Sequence, residues 1–66
     1  MNQMKTARRI LRIAHVQAAT GLGRTAIYDL IKRGLFPEAK PLADLHAVGW
    51  DSLAVEAWIS QQLDAQ

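Results

Sequence analysis

Apolar and polar residues change their spacing several times along this chain, and each change marks an element. The sharpest pattern runs from Arg24 to Arg33. At about 100° per residue, Ala26, Ile27, Leu30 and Ile31 gather on one side of a helix. Arg24, Thr25, Tyr28, Asp29, Lys32 and Arg33 cover the other. This predicts an amphipathic helix over 24–33 with one face on a core. Lys32 and Arg33 complement the helix dipole, and Gly34 suits the left-handed residue that ends it. Phe36-Pro37 then keeps the helix from resuming.

Upstream, Ala14 to Thr20 is rich in helix formers, with Val16 and Ala19 on one face. Gly21 stops that helix, and Gly21-Leu22-Gly23 makes a tight turn whose one apolar residue can plug back into the core. Before it, Ile10-Leu11-Arg12-Ile13 reads as a small strand or an extended lead-in. Downstream, Lys40-Pro41-Leu42 and Ala47-Val48-Gly49-Trp50 are extended candidates around a tip, Ala43-Asp44-Leu45-His46. Pro41 lacks an N–H and belongs on an edge, which suits a hairpin. Asp51 or Ser52 caps a final helix, in which Val55, Trp58, Ile59 and Leu63 form an apolar stripe.

The order is strand, helix, tight turn, helix, hairpin, helix. Two helices joined by a short glycine-containing turn have the shape of a helix-turn-helix, and the hairpin stands where a wing would. The expected fold is mainly α with a small β-hairpin, a winged helix-turn-helix with three helices. A chain of 66 residues makes one domain. Residues 1–8 are expected to form a flexible basic arm and 9–66 the DNA-binding domain.

Composition narrows the function classes. Half the residues are apolar, enough for a core, and there is no cysteine for a disulfide or thiolate site. All eight Lys and Arg residues (Lys5, Arg8, Arg9, Arg12, Arg24, Lys32, Arg33, Lys40) precede Pro41, with only Asp29 and Glu38 among them. From Pro41 onward come Asp44, Asp51, Glu56 and Asp64 and no Lys or Arg. The chain is therefore polar in sequence, with a basic front that suits a polyanionic partner and an acidic tail. No long apolar run or signal peptide is present, so a cytoplasmic protein is expected. The cationic arm is either a tail that follows phosphates or an ordinary solvated terminus.

The major groove admits one helix, whose N-terminal residues reach base edges. On the helix over 24–33 those residues are Arg24, Thr25, Tyr28 and Asp29. Arg24 has the planar fork that pairs with guanine or phosphate. Lys32 and Arg33, a turn later, together with Arg12, Lys40 and His46, are placed for backbone phosphates. Asp29 either accepts from a cytosine amino group or pairs with Arg33 four residues on, and the pairing needs no special target. His46 is either a phosphate contact or a solvent-facing loop histidine. His15 and His46 lack metal-ligand spacing, and no catalytic constellation or phosphate loop is recognisable. Neither an enzyme nor a cofactor is therefore expected. Trp50 and Trp58 are read as core rather than as a stacking surface for single strands.

The sequence resembles the AlpA-like phage and prophage regulators, relatives of excisionases and of the DNA-binding region of MerR proteins. The matching stretches are Arg9-Ile10-Leu11-Arg12, Val16, and Thr20 through Tyr28. They continue with Gly34-Leu35-Phe36-Pro37, Ala47-Val48-Gly49-Trp50 and Val55-Glu56-Ala57-Trp58. The resemblance implies a winged helix-turn-helix on double-stranded DNA, with Arg24, Thr25 and Tyr28 at the groove and a wing over 42–47. It implies promoter control, or excision directed through a partner integrase, and self-association as adjacent copies or a dimer on DNA. Such proteins usually carry Ser or another capping residue where Gly23 stands, often Arg at the place of Asp29, and Arg near His46. These departures thin the cationic support around the reading helix. The alternative reading is a small protein-interaction module or phage inhibitor that keeps the winged fold, motivated by Asp29, Asp44 and the acidic C-terminal half.

Overall fold

The first strand, β1 (Ile10–Leu11), ends at Arg12, whose extended backbone caps α1 (Ile13–Thr20). The cap is made from inside the helix: His15 Nδ1 accepts the Arg12 N–H at 3.2 Å, the return bond of a capping box. These details come from a computed structural model, which describes residues 7–43 and 46–65. Most of the sequence-expected arm and two tip residues, Asp44 and Leu45, lie outside the described residues.

Gly21 ends α1 in the left-handed region at φ 76°, with its N–H on Gln17 O. Thr20 ties the turn together, its Oγ1 donating to Val16 O at 2.8 Å and accepting the Leu22 N–H at 3.2 Å. Leu22 is thereby held against the core. The second helix, α2 (Arg24–Lys32), has Arg33 as its C-cap and Gly34 at φ 73°. Gly34 N–H bonds Ile31 O at 2.9 Å and Leu35 N–H bonds Leu30 O at 2.8 Å, the paired bonds of a Schellman motif.

After the Phe36-Pro37 step the chain forms β2 (Lys40–Pro41) and β3 (Val48–Asp51), then α3 (Ser52–Asp64). The sheet order is β1-β3-β2, with both pairings antiparallel. The expected hairpin is present as β2 and β3, and β1 adds a third strand, Ile10 facing Asp51 and Leu11 facing Trp50. Ser52, fully buried, extends this seam: its Oγ accepts the Arg9 N–H at 2.8 Å and its N–H bonds Arg9 O at 2.9 Å. Asp51 is the N-cap of α3, accepting the Leu53 N–H at 3.0 Å.

Strand alternation turns Leu11 and Trp50 to the helices and Ile10, Gly49 and Asp51 to the opposite face. The core is Leu11, Val16, Ile27, Phe36, Trp50 and Val55, with Ile13, Leu30, Ile31, Trp58 and Ile59 packed around it. Three sequence expectations are corrected here. Leu63 is 70% exposed, because the last turns of α3 run past the core beyond Ile59. Ala19 and Ala26 are exposed. The buried stripe of α1 runs Ile13, Val16, Thr20, and Ala26 sits about 100° round α2 from the buried Ile27. Ile13 joins α1 rather than the strand, since Arg12 is already its cap.

Candidate nucleic-acid interface

The tryptophans fix α2 from behind. Trp50 is 1% exposed and its Nε1 donates to Pro37 O at 3.0 Å. Trp58 Nε1 donates to Leu35 O at 2.8 Å, and its ring meets Phe36 edge-on with centroids 4.8 Å apart. The segment leaving α2 is therefore pinned to both β3 and α3. Tyr28, 40% exposed, rests on Trp50 with centroids 6.1 Å apart. Its ring is braced by the core while the other side stays open.

On that open side Arg24, Thr25, Tyr28, Asp29 and Lys32 line one shallow hollow along α2. The N-cap, Gly23, offers no side-chain acceptor, so the N–H groups of the first turn have no capping side chain. A second notch opens beside the first. It is lined by Arg12 at the cap of α1, Ile13 of α1, Arg24 and Tyr28 of α2, and His46, Ala47, Val48 and Trp50 of the hairpin. Arg24 and Tyr28 belong to both hollows.

The structure does not gather every candidate residue there. Arg33 turns to Asp29 at 3.2 Å, with both side chains more than half exposed, the pairing expected from their spacing. Such a pair adds little stability, but it offsets the charge of Asp29 beside Arg24 and Lys32. Lys40 lies elsewhere: it lines the outer side of the sheet with Arg8, Arg9, Ile10 and Leu42. Arg8 bonds Asp51 at 2.9 Å, a contact across 43 residues of sequence that no local pattern could signal. The support of Arg12 by His15 and of Tyr28 by Trp50 was also missed. The His three residues after Arg12 was the available signal for the former.

The Arg8 hydrogen bond is the first cause holding the Asp51 carboxyl below its ordinary range, followed by the Leu53 N–H. A carboxylate favoured in the folded state adds stability above its unfolded pKa of about 4 and loses it as pH falls through the lower folded value. Acid titration of the thermal midpoint is expected to show that loss. Asp51→Asn keeps a capping oxygen and should flatten the acid limb. An unchanged limb in the variant would assign the acid sensitivity to other groups.

Among the described residues, no group of three or more His, Cys, Asp or Glu side chains could hold a metal ion. Nor is any helix among them long and apolar enough to cross a membrane.

Two helices on a tight turn, the second open to solvent beside a β-hairpin, define a winged helix-turn-helix protein. More narrowly, the chain belongs to the AlpA family, whose model, described as prophage CP4-57 regulatory protein (AlpA), matches residues 9–63. It is also similar to an uncharacterized protein, ORF88, of Enterobacteria phage P4. The two are 36% identical over 58 residues, covering 88% of this chain and 65% of that protein. The chain thus spans just under two thirds of the length of that relative. No solved structure matches it.

Proposed function

We propose that this chain is a sequence-specific double-stranded DNA-binding protein of the phage type, acting as a transcriptional regulator or as an excisionase. In this reading α2 lies in the major groove. Arg24, Thr25, Tyr28 and Asp29 face base edges, Arg12, Lys32 and His46 face phosphates, and the hairpin acts as the wing. The observation that carries it is the shared hollow of Arg24, Thr25, Tyr28 and Lys32, braced by Trp50 and continuous with the notch at Arg12 and His46. Arg33 and Lys40 serve phosphates at the margins, Arg33 by exchanging Asp29 for DNA. An integrase is the protein partner if the role is excision, and adjacent copies or a dimer on DNA fit a monomer with so small a reading surface.

Phosphate contacts release counterions, so affinity falls linearly with salt on logarithmic axes, at about 0.9 per phosphate neutralised. Fluorescence anisotropy with duplexes from the DNA flanking its gene is expected to show tight binding to one segment and a salt slope of about 3–5. Equal, weak binding to every duplex would remove the sequence-specific reading. A protein that ignores DNA yet captures one stoichiometric protein partner would favour the interaction-module alternative.

A further inference from the structure

We infer that the notch between Arg12 and His46, with Arg24 at its edge turned to the bases, seats a single backbone phosphodiester, and that His46 takes up a proton as the phosphate arrives. DNA affinity then rises as pH falls. This rests on the reading of the chain as a duplex-binding protein, and adds to it a defined seat and a proton linkage.

Two separate elements bring the two phosphate-facing residues together, Arg12 from the cap of α1 and His46 from the tip loop of the hairpin, with Arg24 of the first turn of α2 beside them. Among the described residues no carboxylate lines the notch, and Tyr28 is part of its wall. Among the ion pairs of the described residues, Asp29 is taken by Arg33 and Asp51 by Arg8, and neither Arg12 nor Arg24 takes part. Ile13, Val48 and Trp50 make the rest of the lining apolar. The volume, about 240 Å³, admits a phosphate group.

An imidazole changes charge between about pH 5 and 8, and a phosphate within reach favours its charged form. Where binding takes up a proton, affinity strengthens as pH drops. The other groups facing the notch do not supply this sign. Arg12 and Arg24 stay charged throughout. His15, against the Arg12 backbone, accepts through Nδ1, so its protonation removes a bond that holds Arg12 and works in the opposite direction. Asp44, two residues before His46 in sequence, lies outside the described residues, so its contribution is separated by mutation.

The experiment is an anisotropy titration of a labelled duplex from the flanking DNA, at constant ionic strength, at pH 6 and pH 8. Wild type is expected to bind about three- to tenfold tighter at the lower pH. His46→Gln should lose that difference, and His46→Lys should bind with nearly equal affinity at both pH values. His15→Gln, which keeps an acceptor for Arg12, and Asp44→Asn should each retain the difference. Circular dichroism of each variant at both pH values checks that the fold is intact. A pH difference that persists in His46→Gln, or a flat profile in wild type, overturns the phosphate seat while leaving duplex binding in place. Failure of wild type to bind any duplex at either pH overturns the functional reading itself.

Discussion

Trp50→Ala is expected to unfold much of the domain at room temperature. Truncating a buried aromatic costs about 3–5 kcal/mol, and 66 residues hold about 3–10 kcal/mol in total. Trp50 does more than fill space: it is 1% exposed, donates to Pro37 O and supports the Tyr28 ring. Its loss therefore opens a cavity and releases the segment that positions α2. Urea unfolding followed by circular dichroism measures the effect. Trp50→Phe, which keeps most of the apolar bulk but leaves Pro37 O without its indole donor, should lose about 1–2 kcal/mol. A Trp50→Ala protein with near wild-type stability would mean that the core is carried elsewhere.

Arg24→Ala should weaken specific DNA binding by about 1–3 kcal/mol, roughly 5- to 150-fold, and relax the base preference at one position. Arg24 stands at the first turn of α2, belongs to both hollows and has no carboxylate partner among the ion pairs of the described residues. Lys32→Ala is the contrasting case. A phosphate contact carries no sequence information, so its loss should weaken all duplexes alike and reduce the salt slope by about 1. Competition titrations with single-base substitutions separate the two effects. Arg24→Ala that weakens every sequence equally would assign Arg24 to phosphate as well.

The helix over 24–33 was legible because a nine- or ten-residue amphipathic pattern bounded by glycines leaves few alternatives. Gly21 and Gly34 both take the left-handed backbone their positions required. The Asp29–Arg33 pairing was also readable, since it lies within one helix, and Trp50 was read as core from its place beside the hairpin. What the sequence hid depends on residues far apart along the chain. The short strand at β1 was readable, but its pairing with β3 was not. The Arg8–Asp51 pair and the Ser52–Arg9 seam join residues 43 apart. Leu63 misled because periodicity reports which face of a helix is apolar, not where the helix outruns the core.

The same distinction applies to the candidate site. Arg24, Thr25, Tyr28 and Asp29 share a face by helical geometry alone, so their grouping followed from spacing. The meeting of Arg12 and His46 with Arg24 requires the packing of α1, α2 and the hairpin and could not be read from spacing. Lys40 separates from them for the same reason. Its strand places it beside Arg8 and Arg9 on the outer side of the sheet.

Dimethyl sulfate footprinting of the DNA flanking the gene tests the central claim most directly, because guanine N7 lies in the major groove, where α2 is placed. The expected result is a discrete site of N7 protection that disappears with Arg24→Ala at a protein concentration that saturates wild type. Protection confined to minor-groove adenines, or none at concentrations that shift the same DNA in a gel, would contradict α2 as the reading helix.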